Sequence, residues 1–227
     1  MTRLSIIVPA LDAAGRIGAT RRRVDTPGSG VRPEIIVVDG GSADRTADAA
    51  RAAGARVIVA SRGRGGQLAA GAAAASGDWL LFLHADTVLA PGWPEAAACF
   101  MDSPAGAAGA AAFRLVLDDP SPAARRLERM VAWRCRVLAL PYGDQGLLIG
   151  RALYDALGGF RALPLYEDVD LVRRLGRARL TMLPVAAFTS AERYRRAGYV
   201  VRPLRNLCLL ALYFAGVPPR ALVRLYG

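Results

Sequence analysis

Two short stretches carry most of the chemistry that this chain could do. Leu83-His84-Ala85-Asp86-Thr87 places a carboxylate two residues from the only imidazole, directly after an apolar run. Such a pair can hold a divalent ion against a diphosphate, because magnesium or manganese needs only one or two protein carboxylates when phosphate oxygens fill the other positions. Asp86 would equally serve as the N-cap of a helix over 91–100. Tyr166-Glu167-Asp168-Val169-Asp170 packs three acids into four positions. Like charges this close raise at least one pKa, which suits a general base. On a helix the three side chains point in different directions, so only one or two can face a cleft. Acids in a first helical turn are also stabilising without any chemistry.

Three further stretches have two readings each. Val38-Asp39-Gly40-Gly41-Ser42 sets an acid and two flexible residues where a strand meets a helix; Asp39 could accept a hydrogen bond from a ribose or base, or close an ordinary turn. Arg62-Gly63-Arg64-Gly65-Gly66 could pair with phosphate oxygens or form a solvated basic turn. Glu192-Arg193-Tyr194-Arg195-Arg196 could clamp a diphosphate or stack a sugar, or be a solvated helix face.

Composition removes several classes. All 30 basic residues are Arg, which excludes a lysine Schiff base and the lysine of a phosphate-binding P-loop. A single His excludes metal clusters built from several imidazoles. Cys99, Cys135 and Cys208 are far apart in apolar surroundings and fit neither a disulfide framework nor a zinc site, which points to a reducing compartment. The net charge of +11 is uneven: residues 1–172 carry 19 Arg against 18 acids, and residues 173–227 carry 11 Arg against Glu192 alone. The C-terminal quarter therefore faces something anionic or carries a solvated positive surface. Its longest charge-free stretch, 206–219, is shorter than the roughly 20 residues needed to span a bilayer. No secretory signal is visible.

The elements that must position these residues follow from the apolar runs. Leu4–Pro9, Glu34–Val38, Arg56–Ala60 and Trp79–Leu83 are short, β-branched or leucine-rich, and suit strands covered on both faces. Helix formers lie between them at 12–24, 43–53 and 66–75, with Ser42 as an N-cap for the second. This alternation predicts a doubly wound α/β domain, with ligands beyond the carboxyl ends of the strands. Asp12, Asp39, Arg62 to Arg64 and His84 to Asp86 all fall there. The second half predicts a strand over 107–117, a helix over 122–138, a turn at 143–146 leading to 147–149, a helix from Asp168, a strand over 179–183, and helices over 191–196 and 204–215.

The order of these pieces resembles the inverting family-2 glycosyltransferases of GT-A fold over nearly the whole chain. The carriers are Pro9-Ala10-Leu11-Asp12, the Val-Val-Asp-Gly-Gly-Ser run, Leu-His-Ala-Asp-Thr, Leu-Gly-Gly-Phe160 and Glu-Asp-Val-Asp-Leu. Leu-His-Ala-Asp-Thr, Tyr-Gly-Asp-Gln-Gly and Arg-Tyr-Arg-Arg-x-Gly are similar to the radical-SAM/selenodomain-associated bacterial branch. The resemblance implies a nucleotide-diphosphate sugar donor held by Pro9, Ala10, Asp12, Asp39, Arg62, Arg64, His84, Asp86, Gln145 and Arg193. It implies a Mn or Mg ion at Asp86, with His84 standing where the family has the first acid of its D-x-D motif. It implies Asp168, beside Glu167, as the base that deprotonates an acceptor hydroxyl.

The expected organisation is a GT-A domain over 1–190, with a donor half to about 90 and an acceptor half beyond it, and a basic, apolar helical segment over 191–227. That segment is expected to pack on the domain, form a homodimer, or rest on the inner face of the cell membrane and bring a lipid-linked acceptor to an otherwise cytoplasmic enzyme. The rivals are a nucleotidyltransferase, whose Gly-x-Gly-x-x-Arg loop is missing after the first strand, and a non-catalytic basic module for membrane or nucleic acid. Recognition signatures for nucleic acid are missing, and no nucleic-acid partner is expected.

Overall fold

A computed structural model describes residues 3–18 and 33–226. The part of the predicted 12–24 helix beyond residue 18 lies outside the described residues; helical backbone begins at Ala14. Four strands form the first half: β1 (Leu4–Ala10), β2 (Glu34–Asp39), β3 (Arg56–Val59) and β4 (Trp79–Phe82). They run parallel in the order β3-β2-β1-β4, so the chain reverses its direction of progress across the sheet between β1 and β4. β1 is buried along its whole length, as its Ile and Val residues require. β3 departs from the expectation of full cover: it is the edge strand, and Arg56 and Val59 face solvent.

The connecting helices are α1 (Thr46–Ala52) and α2 (Arg64–Ala74). Ser42 does not cap α1. Its hydroxyl is spent between Asp39 and the Asp12 amide, and Asp44 instead accepts from the Thr46 amide at 2.9 Å. The sheet lets α2 come close because of Gly71, where an added Cβ would stand 2.4 Å from the Ile7 side chain.

The second half completes the sheet with β5 (Thr87–Leu89), β6 (Ala110–Leu117), β7 (Leu147–Gly150) and β8 (Leu180–Thr189). The eight-stranded order is β3-β2-β1-β4-β7-β6-β8-β5, with β7 antiparallel to both its neighbours. β8 is longer than predicted because it continues past a register shift against β6, at the stretch holding Pro184. A proline cannot donate to the ladder and belongs at such an irregularity.

Helices α3 (Trp93–Met101), α4 (Pro104–Ala108), α5 (Pro122–Leu138) and α6 (Arg151–Ala156) cover the sheet, and α7 (Glu167–Leu175) carries the acidic motif. The C-terminal segment forms α8 (Glu192–Ala197), α9 (Val201–Phe214) and α10 (Pro219–Tyr226). Leu209, Leu210 and Leu222 bury against Leu165, Val169 and Val172, so the segment packs directly on α7. Among the described residues no helix is long and apolar enough to cross a membrane. The three cysteines are unpaired.

Candidate active site

The reversal between β1 and β4 opens a crevice at their carboxyl ends, where ligands bind in sheets of this kind. Gln67 props it open: its buried amide donates to the carbonyls of Ala10 and Val38 at 2.9 and 2.8 Å and ties the ends of β1 and β2 together. A cavity of about 350 Å³ fills the crevice, lined by Pro9, Ala10, Arg62, Arg64, His84 and Asp86 among others. A second, of about 90 Å³, continues from Arg64, His84 and Asp86 to Asp144 and Asp168. Arg193 borders both, so eight of the expected residues meet in one continuous cleft.

Asp86 lies at the junction of these cavities. It does not cap a helix, since β5 intervenes before α3, whose N-cap is Gly92. Its carboxylate is thus left for the cleft. Asp168 is the one acid of its motif that faces the same space. Its Oδ2 accepts from the Gly143 amide and its Oδ1 from its own neighbour Val169, both at 2.7 Å. Two backbone donors fix the carboxylate in place and leave lone pairs for an incoming proton.

The other two acids of the motif are buried in ion pairs with arginines. Asp170 is buried between Arg161 and Arg174, at 3.1 and 2.6 Å. Glu167, expected beside the base, is fully buried and lines neither cavity. Its Oε1 pairs with Arg64 Nε. Burial and the neighbouring Asp168 push its pKa up, and Arg64 offsets part of that. Glu167 is thus paired with Arg64, which itself lines the cleft.

Three residues expected to bind the donor lie outside the lining of the two cavities. Gln145 is buried, and its amide is consumed by Phe113, Arg134 and Cys135. Asp39 is buried, and its carboxylate accepts from Ser42 at the turn after β2. Asp12 holds a left-handed backbone with φ 48° and accepts from the Ala43 amide at 2.8 Å. Each is held by these hydrogen bonds close in sequence to residues that do line the cleft. His84 does line it, yet its Nε2 lies 3.5 Å from the Arg64 guanidinium and against Gly143, where an added Cβ would stand 2.5 Å away. Burial, then Arg64 and Arg193, hold the imidazole well below its usual pKa. Its Nε2 thus faces Arg64 and the Gly143 backbone.

Asp144 was missed by sequence reasoning. It sits in the 3₁₀ turn Gly143–Gln145 and points into the cleft with Asp86 and Asp168. Its Oδ1 is buried and meets no hydrogen-bond donor among the described residues. Burial, with Asp168 and Asp86 adding to it against Arg134, raises its pKa to about 6. The Tyr-Gly-Asp-Gln-Gly pattern held the signal, but it drew attention to the glutamine.

A buried oxygen without a donor, beside a second carboxylate, fits a cation bound in the cleft. Among the described residues no three His, Cys, Asp or Glu gather as a complete metal site. The donor set thus suits an ion that takes its remaining oxygens from a ligand.

Comparison with known proteins gives the same architecture. The crystal structure of glucosyl-3-phosphoglycerate synthase from Mycobacterium tuberculosis superimposes with a TM-score of 0.61 at 22% identity, over 82% of this chain and 71% of that one. The same enzyme in complex with Mn2+ and uridine-diphosphate-glucose gives 0.59 at 23% identity, with 82% and 70% covered. The glucosyl-3-phosphoglycerate synthase of Mycolicibacterium paratuberculosis is 34% identical over 94 residues, which is 37% of this chain and 29% of that relative. The chain thus spans under a third of that curated relative. The model of the family described as Glycosyl transferase family 2 matches residues 5–162. With that match over more than half its length, and with the sheet order and cleft described above, the chain belongs to glycosyl transferase family 2.

Proposed function

We propose that the chain transfers a sugar from a nucleotide-diphosphate donor to an acceptor hydroxyl by direct displacement with inversion. The observation that carries this reading is the placement of Asp168, fixed by two backbone donors, in the same cleft as Asp86. Asp168 takes the hydroxyl proton; the oxygen bonds to the anomeric carbon as the bond to the diphosphate breaks. Arg64 and Arg193 meet the charge that develops on the departing diphosphate, where fixed positive groups cost no reorganisation. Asp86 and Asp144 would hold a Mn or Mg ion, which when bound neutralises diphosphate charge. The relatives solved with Mn2+ or Mg2+ and uridine-diphosphate support both donor and metal. Leu-His-Ala-Asp-Thr and Tyr-Gly-Asp-Gln-Gly support placement in the radical-SAM/selenodomain-associated branch.

The membrane reading rests on α9. Its outward stripe exposes Leu204, Leu207 and Phe214, in line with the exposed N-cap residue Val200, with Leu204 and Leu207 55% and 60% exposed. Arg220 and Arg224 of α10 are exposed beside it in sequence. Such a face suits the surface of an anionic membrane.

The test is Asp168→Asn. Donor affinity is expected to stay within a few-fold, and turnover to fall at least ~100-fold, the low end for a lost general base. Turnover near wild type would remove the base from Asp168.

A further inference from the structure

The inward stripe of α9 is where polar residues are least expected. Positions 202, 206, 209 and 213 share one helix face. Leu209 is buried there and the Tyr213 ring packs at a tilt against Tyr166, centroids 5.0 Å apart, so the face belongs to the packed core. Its first two turns nevertheless carry Arg202 and Asn206, and both line the cleft opposite Asp168. The Asn206 Oδ1 is buried and meets no hydrogen-bond donor among the described residues. A buried acceptor of this kind costs stability unless a donor reaches it. Arg202 lies 5.6 Å from the Tyr194 ring centroid, which keeps its guanidinium beside the cleft wall. Both residues lie beyond the 5–162 segment that the family model covers.

We infer that the acceptor is an alcohol carrying a phosphate or carboxylate, seated between Asp168 and α9, with Arg202 on its anion and Asn206 on a hydroxyl. The inference rests on the transferase reading and names its acceptor class. A guanidinium pairs with either anion through charge-assisted hydrogen bonds. The Asn206 oxygen accepts from a hydroxyl, while Asp168 takes the proton of the one that reacts. Neutral polyols would satisfy Asn206 alone and bind weakly. The phosphate of a lipid headgroup and that of a free metabolite share this chemistry.

The experiment first titrates UDP with Mn2+ into the full chain. Absence of binding there and with GDP, CDP and dTDP in its place would overturn the donor reading and is separate from the acceptor result; the diphosphate that binds takes the place of UDP in the titrations that follow. With UDP and Mn2+ saturating, so that the diphosphate positions are filled, glycerol 3-phosphate, glycerate and glycerol are titrated by calorimetry. At least one anionic probe is expected to bind about tenfold or more tighter than glycerol, the lower range for a hydrogen bond to a charged group. Arg202→Gln is expected to remove that preference, and Arg202→Lys to keep part of it, with UDP affinity unchanged in both. Equal affinity for all three probes, or an unchanged preference in Arg202→Gln, would overturn the inference. Vesicles of phosphatidylcholine with and without phosphatidic acid then identify the source. Displacement of glycerol 3-phosphate by the acidic vesicles alone supports a lipid headgroup, and no displacement supports a free anionic acceptor.

Discussion

Replacing Asp144 by Asn is expected to stabilise the protein while weakening its hold on a metal–nucleotide pair. The Asp144 carboxyl is raised from 3.8 to about 6, by burial first and then by Asp168 and Asp86. Each tenfold change in proton affinity is worth about 1.4 kcal/mol, so ionised Asp144 costs the fold up to about 3 kcal/mol. The folded-state pKa lies above the unfolded one. Between about pH 4 and about pH 6 the folded chain therefore binds more protons, and this contribution to stability falls as pH rises. Asn keeps the shape without the charge. Its advantage should be full above pH 7, shrink through pH 6, and vanish toward pH 4. For a chain of this size about 3 kcal/mol corresponds to a Tm gain of at least about 5 °C. Thermal unfolding followed by circular dichroism at pH 8 and pH 5 measures it. With Mn2+ and UDP added, wild type should gain more than the variant, because only wild type offers Asp144 to the ion. A variant no more stable than wild type at pH 8, or an advantage equal at both pH values, would refute the account of Asp144.

Glu167→Gln should leave Asp168 in place but loosen Arg64. The expected result is weaker donor binding with a smaller fall in turnover than Asp168→Asn gives; a turnover loss as large as that of Asp168→Asn would return Glu167 to the chemistry. For the membrane reading, sedimentation with liposomes should show binding to anionic and not to neutral lipid, falling as salt rises. Leu204→Ser/Leu207→Ser should weaken it; binding independent of lipid charge would exclude the electrostatic part, and self-association lost in the same variant would assign the face to a second copy.

Much of the donor half was legible because its signals are local. β-branched runs at Leu4, Glu34 and Arg56, and the polar residues that follow them, fall where strand ends must be. Asp86 and Asp168 were legible for the same reason, each standing at the end or start of one element. What was not legible depends on packing across the chain. Glu167 and Asp168 are adjacent, and only tertiary structure shows that one is buried on Arg64 while the other faces the cleft. Gln145 and Asp144 are likewise adjacent, and the turn at Gly143 sends them in opposite directions. Arg202 belongs to the basic C-terminal quarter, for which the charge pattern alone left an anionic ligand and a solvated surface both open. The way α9 docks through Leu209 and Leu210 turns it toward the cleft. β5 and α6 were not predicted, being too short for their periodicity to stand out.

The central claim is metal-assisted transfer from a sugar nucleotide, and release of nucleoside diphosphate tests it most directly. Wild type, Asp86→Ala and Asp168→Asn would each be incubated with UDP-glucose and a panel of other sugar nucleotides, with glycerol 3-phosphate, glycerate or glycerol as the acceptor alcohol, and with Mn2+ or with a chelator. The account predicts nucleoside diphosphate from wild type with one donor in Mn2+, little or none with chelator, and loss in both variants. Release that is equal with chelator and with Mn2+, or that survives Asp86→Ala, would contradict it.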